Sequence, residues 1–61
     1  MLNNYIIVFY SKGMESVIYK AYYNGRYSNA FKYAQNLCKD EVKSAYYFDI
    51  FTEKEYKNKF E

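Results

Sequence analysis

Tyr5-Ile6-Ile7-Val8-Phe9-Tyr10 is an unbroken run of β-branched and aromatic residues near the start of a 61-residue chain. It is too short for a buried helix, and it lacks the alternation of a strand with one wet face. It reads as a strand buried on both faces, which is the signature of the central strand of a sheet. The rest of the chain is placed around it.

Ser11-Lys12-Gly13-Met14-Glu15 follows, and Gly13 can take the positive φ of a hairpin loop. Residues 16–23 form the return strand. Val17, Tyr19, Ala21 and Tyr23 alternate on one face, with Ile18, Lys20 and Tyr22 on the other. Asn24-Gly25 is a turn signal that ends this strand. Ser28 or Asn29 is a candidate N-cap for a helix over 29–39, in which Ala30, Phe31, Tyr33, Ala34, Leu37 and Cys38 share one arc. The end of this helix is poorly defined, because no glycine follows and Asp40-Glu41 sit at the negative end of its dipole.

Residues 45–51 read as a third strand, with Tyr46, Phe48 and Ile50 opposed to Ala45, Tyr47, Asp49 and Phe51. Thr52-Glu53-Lys54-Glu55 fits a capping box, and Phe51 with Tyr56 fits the accompanying hydrophobic staple, so a short helix is expected over 53–60. The expected fold is one α+β domain over 1–61, ββαβ(α), with a three-stranded sheet in order 2-1-3. A crossover makes the second and third strands parallel, and the first lies antiparallel between them.

A chain this short buries only about 60% of the surface exposed by its unfolded form. One cysteine, Cys38, excludes an internal disulfide, and the absence of histidine removes the usual zinc ligands, so no metal or cofactor is expected. Ten Tyr and five Phe supply the packing instead. That is more tyrosine than a small core absorbs, since each buried hydroxyl wants a hydrogen-bond partner, so part of it is expected at an interface. Nine basic residues against seven acidic ones, only one of them arginine, do not mark a dedicated nucleic-acid domain. No segment has the length of a membrane span and no leader is evident, so a cytoplasmic protein is expected.

One helix covers one sheet face. Assigning it Val17, Tyr19 and Ala21, Tyr46, Phe48 and Ile50, and Ile6 and Val8 leaves Tyr5, Ile7, Phe9, Ile18, Lys20, Tyr22, Tyr47, Asp49 and Phe51 opposite. That set is too apolar for a solvated surface. Three things could cover it: the C-terminal helix carrying Tyr56 and Phe60, a second copy, or a foreign partner. The candidate partner-binding residues are Tyr5, Phe9, Lys20, Tyr22, Tyr47, Asp49 and Phe51. Tyr19, Tyr33 and Tyr46 are expected under the helix.

No catalytic constellation is visible. Asp49 reads as a strand charge that discourages aggregation rather than as a general base, and Cys38 as a packing residue without a base beside it. The expectation is a non-enzymatic protein-binding module, a homodimer that blocks or regulates a larger protein. The alternative is a single-stranded nucleic-acid binder stacking bases on Tyr5, Phe9, Tyr22 and Tyr47 with Lys20 at the rim. The ββαβ order resembles that of several small modules, HicB-type antitoxin domains among them, without a diagnostic residue to carry the likeness. In brevity and in Lys, Asn and Tyr content the chain is similar to small phage or mobile-element proteins that inhibit host enzymes or defence systems. That likeness implies a host-cytoplasmic inhibitor.

Overall fold

The apolar run is the middle strand. The computed structural model describes residues 2–13, 16–40, 42 and 44–60. The elements are β1 (Asn3–Tyr10), β2 (Val17–Gly25), α1 (Tyr27–Asp40), β3 (Tyr47–Thr52) and α2 (Glu53–Phe60). They form one sheet in order β2-β1-β3, with β1 antiparallel to both neighbours, which is the expected α+β arrangement. The β1–β2 loop is closed by the Ser11 N–H donating to the Ser16 carbonyl at 3.0 Å, and Gly13 takes φ +94° as its position demands. Met14 and Glu15, which completed the expected loop, lie outside the described residues.

Boundaries move: β1 begins two residues earlier than expected, β3 spans 47–52 rather than 45–51, and the end of β2 and the start of α1 shift together. Asn24-Gly25 does not turn the chain: it stays in β2, paired with Asn4 and Asn3. The helix begins directly afterwards at Tyr27, so Ser28 and Asn29 lie inside its first turn rather than capping it. The Arg26 carbonyl accepts the first helical bonds, from the N–H groups of Asn29 (3.1 Å) and Ala30 (3.0 Å). At the other end the Val42 N–H donates back to the Leu37 carbonyl at 2.7 Å, and both side chains are buried in the same cluster. This bond satisfies one of the carbonyls left open at the end of the helix, and an apolar contact accompanies it.

The core lies between α1 and one face of the sheet. Ile7 and Phe9 are fully buried there among Ala21, Ala34, Leu37 and Val42, with Phe48 and Ile50 packed against them. Ala30 and Ala34 are both fully buried on the inner stripe of α1. Their small side chains let the helix sit low enough for the large β1 side chains to fill the space between. Phe31 and Tyr33 straddle this stripe. Phe31 packs edge-on against Phe48 of β3 (5.4 Å), and Tyr33 lies on Tyr23 of β2 (5.2 Å).

The parity of β1 is the reverse of the expectation. Tyr5, Ile7 and Phe9 pair with Tyr23, Ala21 and Tyr19 on one side and with Thr52, Ile50 and Phe48 on the other. Opposed residues in an antiparallel ladder share a face, so Tyr5, Ile7 and Phe9 lie under α1, while Ile6 and Val8 take the far face. Val17 also changes side. Phe9 pairs with Tyr19 but Tyr10 pairs with Val17, so Ile18 is the extra residue of a bulge. Tyr46 precedes β3 and is 63% exposed rather than packed under α1. Tyr19 and Tyr33, expected in the core, are also exposed, at its margin.

Candidate functional site

The far face of the sheet carries Asn4, Ile6, Val8 and Tyr10 from β1, Lys20, Tyr22 and Asn24 from β2, and Tyr47, Asp49 and Phe51 from β3. Of the seven residues named as a partner surface, five therefore share it. Tyr5 and Phe9 do not. Tyr5 is buried with its ring edge-on to Tyr27 of α1 (5.9 Å), and Phe9 lies between Tyr19 and Phe48 (5.8 and 5.9 Å). The same inversion divides the base-stacking platform of the alternative reading, because two of its four rings lie beneath α1.

The C-terminal helix covers part of this face. Thr52 and Glu55 form the capping box in both directions: the Thr52 N–H donates to Glu55 Oε1 (2.9 Å) and the Glu55 N–H donates to Thr52 Oγ1 (3.2 Å). The cap fixes where the chain leaves β3, and the staple fixes its angle. Phe51 meets Tyr56 and Phe60 edge-on at 6.4 and 5.6 Å, and Tyr56 and Phe60 lie 4.8 Å apart. The Lys59 ammonium lies over Phe51, 5.3 Å from the ring centre. From α2, Tyr56 reaches the opposite edge strand, where Lys20 Nζ donates to its hydroxyl at 3.0 Å. Val8, beneath this arch, is 1% exposed.

Two parts of the face differ in character beyond α2. Towards the loop, Tyr10 stacks on Tyr47 with ring centres 4.6 Å apart and planes 12° from parallel. Burial, and then the nearby Asp49 carboxylate, raise the Tyr10 hydroxyl above the usual tyrosine pKa. Asp49 is half-buried on β3, an edge strand, as its reading as a protective charge requires. Beside the start of α2 lies an open groove of about 360 Å³, bounded by Asn4, Ile6, Tyr22, Asn24 and Glu53. One polar chain runs along it: Asn24 Nδ2 donates to Asn4 Oδ1 (2.6 Å), and Asn4 Nδ2 donates to Glu53 Oε1 (2.9 Å). Tyr22, at its rim, is 68% exposed and is the most exposed large apolar residue of the described chain.

The sequence reading missed Asn4, Asn24 and Glu53 as parts of one site. Asn24 was legible only as a turn residue, and Asn4 only as the polar leader of β1. The sequence carried no signal for this register: Asn4 meets Asn24 only because the bulge at Ile18 adds one residue to β2. Cys38 is half-buried against the core, and burial raises its thiol pKa, which makes it a weak nucleophile. Among the described residues no cluster of His, Cys, Asp or Glu could hold a metal, and no helix is long and apolar enough to cross a membrane. No family model, curated protein or solved structure matches the chain. The fold defines a small α+β sheet protein.

Proposed function

We propose that this chain is a non-enzymatic protein-binding module, a small inhibitor or regulator of a larger protein of the kind that phages and mobile elements encode. The observation that carries this reading is the concentration of exposed large side chains on one strand. Val17, Ile18, Tyr19 and Tyr22 of β2 are 46%, 38%, 43% and 68% exposed, and Lys20 is the only charge among them. Exposed apolar side chains concentrated along one edge strand suit an interaction site, and tyrosine is among the residues enriched at such sites. Tyr22 supplies a rigid amphipathic ring at the rim of a groove whose wall is amide and carboxylate and whose floor is Ile6. This suits a partner that buries an apolar group and donates hydrogen bonds beside it. A self-associating chain would present two such grooves.

The test is capture from the source cell with the tagged full chain and with its Tyr22→Ser variant, read by mass spectrometry. A stoichiometric protein held by the wild type and lost by the variant, at unchanged melting temperature, is the expected outcome. Equal capture by both removes Tyr22 from the site. Absence of any stoichiometric protein overturns the module itself.

A further inference from the structure

β2 ends the sheet on one side, and the outer row of its backbone N–H and C=O groups faces away from β1. Proteins blunt such edges by shortness, by charge, by proline, by a bulge or by a covering element. β3, at the other edge, is six residues long, half-buried throughout, and carries Asp49 at its middle. β2 is nine residues long, contains no proline and carries one charge, Lys20. Its bulge at Ile18 disturbs only the beginning and leaves Tyr19–Gly25 as a regular ladder with β1.

We infer that β2 pairs antiparallel with β2 of a second copy of this chain about a two-fold axis through Tyr22, joining two sheets into one of six strands. Such an axis stands normal to the sheet, so each residue meets a residue of its own face, and both α1 helices lie on one side. Three centres compete. A dyad at Lys20 opposes two ammonium groups directly, which is unfavourable. A dyad at Ala21 brings the Ile18 bulge into the ladder opposite Asn24. A dyad at Tyr22 pairs the whole regular run with itself: Tyr19 with Gly25, Lys20 with Asn24, Ala21 with Tyr23, and Tyr22 with its own copy. Lys20 then keeps its bond to Tyr56 beside a neutral amide.

The buried area sets the strength. Tyr19, Tyr22 and Tyr33 line the edge at 43%, 68% and 37% exposure. With about 150–250 Å² per aromatic side chain, they bring on the order of 300 Å² from each copy, besides the peptide edge itself. This belongs with the smaller interfaces, below about 1,200 Å² in total, and gives a concentration-dependent dimer rather than a permanent one. The dimer deepens the binding reading above, because it places both Tyr22 rings and both grooves on one continuous face.

The test has two arms on the full chain. Light scattering and sedimentation over a concentration series should show monomer passing to dimer in the micromolar range. Tyr22→Lys, which puts two ammonium groups on the dyad, should move that transition at least tenfold higher while the circular dichroism spectrum stays unchanged. For register, both cysteine variants are made in a Cys38→Ser background. Tyr22→Cys should oxidise to a covalent dimer, since directly opposed strand residues lie about 4.5–5.5 Å apart at Cα, within disulfide reach. Lys20→Cys, four residues out of register with its copy, should not.

A wild type that stays monomeric to several hundred micromolar overturns the dimer, as does a Tyr22→Lys variant that associates equally well. Efficient cross-linking through position 20 with none through 22 overturns the register. Each of these leaves the capture experiment above unaffected. Absence of any captured protein from a wild type that dimerises overturns the partner reading alone.

Discussion

The Tyr10 ring lies flat on Tyr47, and its hydroxyl is held above the usual tyrosine pKa first by burial and then by Asp49. A phenol whose folded pKa is raised contributes stability that is complete below about pH 10 and disappears as pH rises through the folded value. Tyr10→Phe should therefore lose less of its urea midpoint than the wild type between about pH 9 and pH 11; the other tyrosines are common to both proteins and cancel. Parallel slopes would show that the Tyr10 proton does not stabilise the fold. The two glycines answer to different forces. Gly13 has φ +94° with open space around it, so Gly13→Ala meets backbone strain alone, about 1–3 kcal/mol. At Gly25 a Cβ would lie 2.7 Å from Cε2 of Tyr23, a ring already packed on Tyr33. Gly25→Ala should cost about 1–3 kcal/mol through that ring, and Tyr23→Ala in the same chain should relieve the clash in a double-mutant cycle. Additive losses would place the cause elsewhere. Only the role of Gly13 could be read beforehand, because turn conformation is local. The role of Gly25 depends on how a ring two residues away lies over the strand.

At the scale of elements, α2 shows which signals survive without tertiary information. Thr52, Glu55, Phe51 and Tyr56 satisfy one another within six residues of chain, so the capping box and staple were legible and occur in the structure as read. Thr52→Ala removes the acceptor for the Glu55 N–H and should cost about 1 kcal/mol. Because α2 arches over Val8, the loss should also appear as faster hydrogen exchange in α2 and stronger binding of an apolar dye. Exchange unchanged in α2 would mean that packing by Phe51, Tyr56 and Phe60 holds the helix without its cap. The parity of β1 was the opposite case. In β2 and β3 a single charge, Lys20 or Asp49, shows which set faces outward; of the inner sets, Tyr19, Ala21, Phe48 and Ile50 were assigned correctly, whereas Val17 and Tyr46 were not. The run Tyr5–Tyr10 has no charge and no alternation, so either parity is chemically consistent. Only register against its two neighbours decides it, and a slip of one residue exchanges every side chain. The candidate site inherited that ambiguity, so two of its seven members went to the wrong face.

For the molecule as a whole the question is how much of its aromatic surface the fold can give up. A chain of this length has about 3–9 kcal/mol of stability at the usual value per residue. Phe9 is fully buried at the centre of the sheet, touching Tyr19 and Phe48, and removal of such a ring costs about 3–5 kcal/mol. Phe9→Ala should therefore bring the protein to the edge of unfolding at room temperature, while Phe9→Leu, which keeps most of the volume, should remain folded with a lowered melting temperature. Tyr22→Ser removes a ring that is 68% exposed and should change stability by no more than about 0.5 kcal/mol. The sheet faces stand or fall on this contrast. If Phe9→Ala leaves the chain folded, Phe9 lies on the open face as first expected; if Tyr22→Ser unfolds it, Tyr22 is core and the face of β2 is misassigned. If the order is as argued, the aromatic residues divide by cost. Those under α1 hold a small sheet together without an internal disulfide, and those along β2 stay exposed because the fold does not need them, which frees that edge to engage another surface.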